Sequence, residues 1–127
     1  MNGTVKEWVA KAEGDFGTAQ RELQAAGERN LDAVCFHAQQ CVEKLMKGLL
    51  IHLGVTPPRT HDLLELDALL TPVCPSWSWT VRELRLLTQA GIEFRYPGES
   101  ADDLEASRSF DIASRARIKL RGLLGLT

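Results

Sequence analysis

The segment from Leu31 to Leu53 restricts the possible folds of this chain more than any other stretch. Asn30 before it is a favourable N-cap, and Gly54 after it is a favourable residue for ending a helix. Its 23 residues predict a helix of about 34 Å, which is long for a small domain. Apolar residues recur along it at helical spacing and form one stripe: Leu31, Val34, Ala38, Cys41, Val42, Leu45 and Leu49.

A second, polar stripe follows the same predicted helix and contains His37, Gln40, Lys44 and Lys47. Phe36 lies roughly opposite the apolar stripe, so the far side of the helix is not simply a water-facing surface. We therefore expect this helix to lie centrally, with neighbours on more than one side. Glu43 and Lys47 have i,i+4 spacing, which is typical of an ordinary surface pair worth about a few tenths of a kcal/mol.

The rest of the chain contains four further helical patterns joined by short connections. We expect the helices to begin near Thr4, Asn30, Thr60 or Asp62, Thr80 and Ser100, and the first three to end at Gly27, Gly54 and Thr71-Pro72. In the last helix, Leu104 and Phe110 are among the apolar residues that we expect to face the interior. No segment alternates with the period of a β-strand. The sequence therefore predicts an all-α, up-and-down antiparallel bundle of about five helices, with residues 1–127 as a single domain.

Composition restricts the class of partner and the compartment. The 15 basic and 17 acidic residues give a net charge of −2, so the chain lacks the basic surplus that is usual in nucleic-acid-binding proteins. A local basic patch is compatible with this balance, because net charge does not report distribution. The odd number of cysteines, without metal-ligand spacing, indicates buried reduced thiols. No signal peptide and no membrane-spanning apolar run is visible, so we expect a cytoplasmic protein that does not enter the membrane.

Two loops carry residues that suit an anionic ligand. Arg59, His61 and Asp62 lie where a Pro-Pro loop meets the third helix, and the amides of a helix N-terminus can host a phosphate. A local cap with a cluster of salt bridges explains the same residues. Arg95 and Tyr96, held in a loop by a proline, suit phosphate contact and stacking, and they suit equally an arginine that bridges helix ends.

The predicted helices raise two further alternatives. Lys44 shares a polar strip with His37 and Gln40, and cations that converge there suit an anion. Asp15 lies near the edge of the apolar stripe of the first helix. It can meet a cation across a helix boundary, although a solvated carboxylate is the simpler interpretation.

Motifs for phosphate loops, dinucleotide binding, zinc proteases and calcium loops are absent. His37, His61 and Asp62 are a conceivable ligand set, but histidines near carboxylates are usually only hydrogen-bonded, so we expect neither metal nor cofactor. Trp77 and Trp79 can close the end of the bundle or mark a partner surface, and we favour the bundle end.

The polar stripe and the two loops together resemble the HEPN domain family, whose name stands for higher eukaryotes and prokaryotes nucleotide-binding. Three blocks carry the resemblance: Phe36, His37, Gln39, Gln40, Val42, Glu43, Lys44 and Lys47; then residues 57–63, PPRTHDL; then Arg95, Tyr96 and Pro97. The opening residues Trp8, Ala12, Asp15 and Ala19 also match the first helix of that family. The resemblance therefore covers nearly the whole chain.

The resemblance implies a helical bundle that is commonly a homodimer. Bacterial members of this kind are often encoded beside a minimal nucleotidyltransferase, as toxin–antitoxin-like pairs. Many HEPN proteins are metal-independent ribonucleases that use an arginine and a histidine separated by a few residues, about four to six. Here Arg95 has no histidine after it, and His61 is the last histidine of the chain, so the pattern lacks its general base.

We therefore interpret the chain as a non-catalytic HEPN module that binds a nucleotide, a short RNA or a nucleotidyltransferase partner. The expected site consists of Lys44, Lys47, Arg59, His61, Asp62, Arg95 and Tyr96, supported by His37 and Gln40. We expect the lysines and Arg95 to neutralise phosphates, Tyr96 to stack and His61 to hydrogen-bond. One alternative is a ribonuclease that pairs Arg95 with His37 or His61 through space. Another is a purely structural helical dimer whose charged cluster is a buried salt-bridge network.

Overall fold

The computed structural model describes residues 1–126, and in that range it contains five α-helices and no β-strand. The helices are α1 Gly3–Gln24, α2 Leu31–His52, α3 Leu63–Val73, α4 Val81–Glu93 and α5 Asp103–Leu123. The prediction of an all-α bundle of about five helices is confirmed. α2 packs against each of the other four helices, so it is the central helix that its two stripes predicted.

The inner face of α2 forms the centre of the hydrophobic core. Leu45 and Leu49 are fully buried, and burial of each leucine side chain stabilises the fold by about 1.5–3 kcal/mol. The same core cluster receives residues from each of the other helices, among them Val5, Leu66, Leu87 and Leu120. α1 approaches α2 closely at Gly48, where an added Cβ would lie 3.3 Å from the Cβ of Trp8.

Three predicted helix boundaries need correction, while the cap of α2 is confirmed. Asn30 Oδ1 accepts a hydrogen bond from the Ala33 amide at 3.0 Å, as its N-cap role requires. α1 ends at Gln24, before the predicted stop at Gly27. α3 continues through Pro72 to Val73, and the predicted stop at Thr71-Pro72 was wrong. The missing N–H of Pro72 removes only the bond to the Ala68 carbonyl, and Ala68 is exposed to water.

The third correction is the start of α5, where Asp102 and not Ser100 is the N-cap. The Asp102 carboxylate accepts from the Glu105 amide at 2.8 Å, and the Glu105 carboxylate accepts from the Asp102 amide at 3.1 Å. This reciprocal capping box is more favourable than a single cap. Leu104 was expected inside but is 71% exposed. It lies only two residues from the buried Ala106, which places it on the other side of the helix.

The tryptophan pair closes the bundle at the α3–α4 connection. Trp77 is buried in the core cluster, and its indole N–H donates to Asp67 Oδ1 at 2.7 Å. The ring of Trp79 stacks on it with centroids 5.5 Å apart. The bundle-end interpretation of these two residues is confirmed. Within residues 1–126, no helix combines the length and apolar character that crossing a lipid bilayer requires.

Candidate functional site

The polar stripe of α2 forms the floor of the candidate site. We use the name polar strip for His37, Gln40, Glu43, Lys44 and Lys47 of α2, together with Asp15 of α1 and His61 of the loop before α3. Spacings of three and four residues place the α2 members on one side of the helix. Hydrogen bonds gather them into two clusters, one around each of two buried carboxylates.

Asp15 is the centre of the first cluster. Its side chain is buried between α1 and α2, and the residue is only 8% exposed. One carboxylate oxygen lies 2.7 Å from His37 Nδ1, and the other accepts from Lys44 Nζ at 2.6 Å. The interpretation of Asp15 as a solvated carboxylate was wrong. A buried carboxylate needs such partners, because an unpaired charge withdrawn from water is strongly unfavourable.

Glu43 is the centre of the second cluster and is only 2% exposed. Its carboxylate accepts from Lys47 Nζ at 3.0 Å and lies 2.9 Å from His61 Nδ1. The side-chain amides of Gln39 and Gln40 donate to the same carboxylate at 3.2 and 3.3 Å. The pair with Lys47 is therefore a buried ion pair, and the expectation of an ordinary surface pair was wrong.

The two clusters change the electrostatics that the lysines were expected to supply. Lys44 and Lys47 each lie against a buried carboxylate, so their charges are already balanced. Lys47 also lies 5.7 Å from the ring centroid of Trp8, a cation–π arrangement. Among residues 1–126, no buried side-chain nitrogen or oxygen lacks a hydrogen-bond partner. The middle of the strip is thus fully satisfied, and new ligand contacts belong at its ends.

One end of the strip opens into a hollow of about 370 Å³, which we call the Arg95 hollow. It is lined by Asn30, Asp32, Ala33, Phe36, His37, Phe94 and Arg95. The Arg95 guanidinium lies over the Phe36 ring, 5.3 Å from its centroid. Arg95 is exposed and has no carboxylate partner within residues 1–126. An unpaired guanidinium beside aromatic rings is suited to an anion that carries a planar group.

His37 lies in the same hollow with a fixed orientation. Because Asp15 accepts the Nδ1 hydrogen, the neutral imidazole keeps its lone pair on Nε2. The Phe36 ring packs edge-on against the imidazole, with centroids 5.1 Å apart. Asp32 also lines the hollow, and its carboxylate is held at the α5 side by a hydrogen bond from the Ala101 amide at 2.7 Å. The hollow therefore presents a guanidinium and an imidazole to a ligand.

The structure places most of the predicted site residues in the polar strip: His37, Gln40, Lys44, Lys47 and His61. Arg95 joins His37 in the Arg95 hollow. Asp62 is the N-cap of α3, and its carboxylate accepts from the Leu64 amide at 2.9 Å. Arg59 and Tyr96 are exposed, and neither side chain makes a hydrogen bond or ion pair within residues 1–126. No side-chain hydrogen bond or ion pair in that range joins Asp62, Arg59 or Tyr96 to the strip.

Sequence reasoning missed a second hollow at the other end of the strip, which we call the Trp8 hollow. Its volume is about 480 Å³, and it is lined by Thr4, Glu7, Trp8 and Lys11 of α1 and by Lys44 of α2. The four α1 residues have helical spacing and form one side of that helix. The polar residues of α1 were the available signal, but their position against Lys44 depends on how α1 packs on α2.

The cysteines do not contribute a reactive group to the site. Cys35, Cys41 and Cys74 are free thiols and all three are buried. Burial raises the pKa of the Cys41 thiol to about 12, and burial also raises the pKa of Cys35. Both thiols therefore stay protonated near neutral pH. In the part of the chain that the structure describes, no group of three or more histidine, cysteine or acidic side chains is placed to hold a metal ion.

The fold and the polar strip define an all-α protein with a histidine- and glutamine-rich central helix. The family model for the HEPN domain matches residues 5–121. Since this match covers most of the chain, the protein belongs to the HEPN domain family. No curated protein matches it.

Two solved structures share the fold. One is described as the crystal structure of TT1696 from Thermus thermophilus, with a TM-score of 0.78 and 23% identity over 96% of this chain and 99% of that chain. The other is the crystal structure of ST0689, an archaeal HEPN homologue, with a TM-score of 0.67 and 23% identity over 96% of this chain and 98% of that chain. At this identity, the likeness concerns the fold alone.

Proposed function

We propose that this HEPN protein is a non-catalytic module that binds the phosphate of a nucleotide or short RNA in the Arg95 hollow. One observation carries the proposal: the same hollow contains Arg95, which is exposed and has no carboxylate partner in the described residues, and His37, which Asp15 orients. A guanidinium binds phosphate through two parallel hydrogen bonds, which gives both affinity and orientation. The His37 imidazole and the Arg95 guanidinium together suit a phosphate that carries a hydroxyl-bearing sugar.

The aromatic residues around Arg95 support a nucleotide in preference to free phosphate. Phe36 and Phe94 line the hollow, and Tyr96 follows Arg95 in the chain as an exposed ring. Unstacked bases gain binding energy by stacking on aromatic side chains and on arginine planes. Tyr96 therefore acts as the stacking residue in this proposal.

The remaining predicted residues have two different roles. Lys44 holds the Asp15 carboxylate that orients His37, while Lys47, His61 and Gln40 hold the Glu43 carboxylate in place. Asp62 fixes the start of α3 and with it the position of His61. Arg59 is an exposed cation in the adjoining loop, available to a longer anionic ligand.

Calorimetric titration with adenosine monophosphate tests the proposal. We expect Arg95→Ala to weaken binding by about tenfold or more, since a charge-assisted hydrogen bond contributes about 1.5–3 kcal/mol. Arg85→Ala is the matched control, because Arg85 is also exposed and unpaired within residues 1–126 but lies outside the hollow. Equal affinities of the two variants would contradict the proposal, and so would the absence of binding at millimolar nucleotide.

A second function, metal-independent RNA cleavage, is favoured by one observation: Asp15 orients His37 in the hollow that Arg95 also lines. His37 Nε2 can accept the proton of a ribose 2′-hydroxyl while Arg95 binds the phosphate that this oxygen attacks. As the O2′–P bond forms, the P–O5′ bond breaks, and the 5′-oxygen leaves with a proton from the His37 imidazolium or from water. A cleavage assay separates the two functions. Loss of cutting in both His37→Ala and Arg95→Ala, with His61→Ala still active, would establish the enzyme; no cutting by the unmodified protein favours the binding module.

Assembly is the other part of the proposed function. The module forms a homodimer and pairs with a small nucleotidyltransferase in the cytoplasm, as its family resemblance implies. Two exposed apolar residues, Leu104 and Ile118, lie on one side of α5 and support self-association. Light scattering should give a dimer mass for the unmodified chain and a monomer mass for Ile118→Lys. A monomer at micromolar concentration would contradict the dimer.

A further inference from the structure

We infer that the Trp8 hollow is a second ligand subsite, and that one ligand, a single-stranded oligonucleotide, occupies both hollows. This inference rests on the proposed function of the Arg95 hollow and names the class of ligand more narrowly. Three observations support it: the residues that line the Trp8 hollow, the contacts that connect this hollow to the Arg95 hollow, and the positions of the cations that have no carboxylate partner in the described residues.

The Trp8 hollow has the parts that a base and a phosphate require. Trp8 is partly exposed and presents an indole, and the largest planar side chain is also the best stacking surface. Lys11 is exposed, one turn further along α1, and has no carboxylate partner within residues 1–126. Glu7 also lines the hollow, and its carboxylate is an acceptor for the amino group of a base or a sugar hydroxyl.

The two hollows are joined through a single carboxylate. Lys44 lines the Trp8 hollow and His37 lines the Arg95 hollow. The Asp15 carboxylate contacts both side chains, His37 through Oδ1 and Lys44 through Oδ2. These residues are two turns apart on α2, which corresponds to about 10 Å along the helix. Gln40 lies between them on the same side of α2 and is partly exposed. A mononucleotide can occupy one hollow only, whereas a short strand reaches both.

The charge pattern fits a strand with spaced phosphates. In the middle of the polar strip, Asp15 and Glu43 balance Lys44 and Lys47. Each end of the strip carries a cation without a carboxylate partner in the described residues, Lys11 in the Trp8 hollow and Arg95 in the Arg95 hollow. Aromatic rings accompany both cations, and such rings can stack on the bases of a ligand only where those bases are unstacked. A duplex hides its bases, so the arrangement favours a single strand over a double helix.

Fluorescence anisotropy with a labelled single-stranded RNA of about eight nucleotides, beside calorimetry with adenosine monophosphate, tests the inference. We expect the strand to bind at least tenfold more tightly than the mononucleotide. Lys11→Ala and Trp8→Leu should each weaken strand binding about five- to tenfold and leave mononucleotide binding unchanged. Lys6→Ala is the matched control, because Lys6 is an exposed lysine of α1 that lies outside the hollow. It should change neither affinity.

The outcomes separate this inference from the proposed function. If Arg95→Ala weakens both ligands while Lys11→Ala and Trp8→Leu change neither, the second subsite is refuted and the Arg95 hollow stands. If Arg95→Ala leaves mononucleotide binding unchanged, the proposed function fails first. Trp8 packs near Gly48, so Trp8→Leu can disturb folding. If it does, Lys11→Ala alone tests the second subsite, because it removes only an exposed side chain. Equally tight binding of an acidic peptide with the same charge would also overturn the inference.

Discussion

The inner face of α2 and its polar strip are both largely withdrawn from water, but different interactions hold them in place. The inner face packs Ala38, Cys41 and Leu45 into a continuous apolar cluster. The strip instead buries two carboxylates: Asp15 with two side-chain partners and Glu43 with four. Apolar packing tolerates small rearrangements, whereas a buried charge that loses its oppositely charged buried partner is left uncompensated. This difference predicts a ranking of substitution effects, from the loss of a buried carboxylate down to the loss of an exposed histidine.

Glu43→Ala should cause the largest loss of stability. Removal of this carboxylate leaves the buried Lys47 ammonium without its partner, and breaking a buried pair from one side costs about 3–5 kcal/mol. The control is Asp111→Ala. Asp111 and Arg115 form an i,i+4 ion pair with the same 3.0 Å separation as Glu43 and Lys47, but the Asp111 side chain is 66% exposed. That change should cost less than about 1 kcal/mol. Urea denaturation measures both, and similar losses would contradict the distinction.

Gly91→Ala should have the next largest effect, because it disturbs the residue that supports the Glu43 cluster. A Cβ at Gly91 would lie 2.7 Å from both Cβ and Cγ of Gln39, which are not the free end of a flexible side chain. Such overpacking costs about 1–3 kcal/mol. Gly14→Ala is the control: no atom lies within 4 Å of its added Cβ, and the substitution should stabilise α1 by about 0.5–1 kcal/mol. A neutral Gly91→Ala would show that the contact is loose.

The inner face gives a pH-dependent prediction. Burial raises the pKa of the Cys41 thiol from its ordinary value of 9.0 to about 12. Above pH 9 the unfolded chain has lost this proton while the folded chain keeps it, so the folded state binds more protons and stability falls as the pH rises towards 12. The slope contributed by this thiol is at most about 1.4 kcal/mol per pH unit. Cys41→Ala should remove that part of the slope in urea titrations between about pH 9 and 11; identical slopes would contradict the burial of the thiol.

His61→Ala should produce the smallest change. The His61 side chain is 65% exposed, so its contact with Glu43 is screened by water, and Gln39, Gln40 and Lys47 still satisfy the carboxylate. We expect a loss below about 1 kcal/mol in urea denaturation at neutral pH. His52→Ala is the control, since His52 is an exposed residue of α2 with no side-chain partner in the described part of the chain. A loss above about 2 kcal/mol would mean that the loop depends on His61.

The sequence predicts the helices better than their mutual contacts. Periodicity and the Asn30 cap are local properties, and they place α2 correctly. The start of α5 was misplaced because two capping pairs overlap, and only the structure shows that Asp102 and Glu105 satisfy each other. These errors shift boundaries without changing the fold.

The sequence predicts which residues form the candidate site better than it predicts how they are arranged. Arg95 and His37 were both named, yet their common hollow depends on how the segment after α4 packs on α2. The local sequence favours a solvated Asp15, since nothing near it in the chain shows that α2 brings Lys44 and His37 to its carboxylate. The sequence does not single out Lys11, because the Trp8 hollow forms only where α1 packs against Lys44 of α2. Contacts of this kind arise from tertiary packing.

The most direct test of ligand binding in the Arg95 hollow is long-range ¹H–¹⁵N NMR of the histidine side chains during titration with a short single-stranded RNA. We expect a saturable shift of the His37 Nε2 signal, no shift for His52, and loss of the His37 response in Arg95→Ala. Binding of the RNA without any change at His37, or an unchanged response in Arg95→Ala, would contradict the assignment of the ligand to the Arg95 hollow.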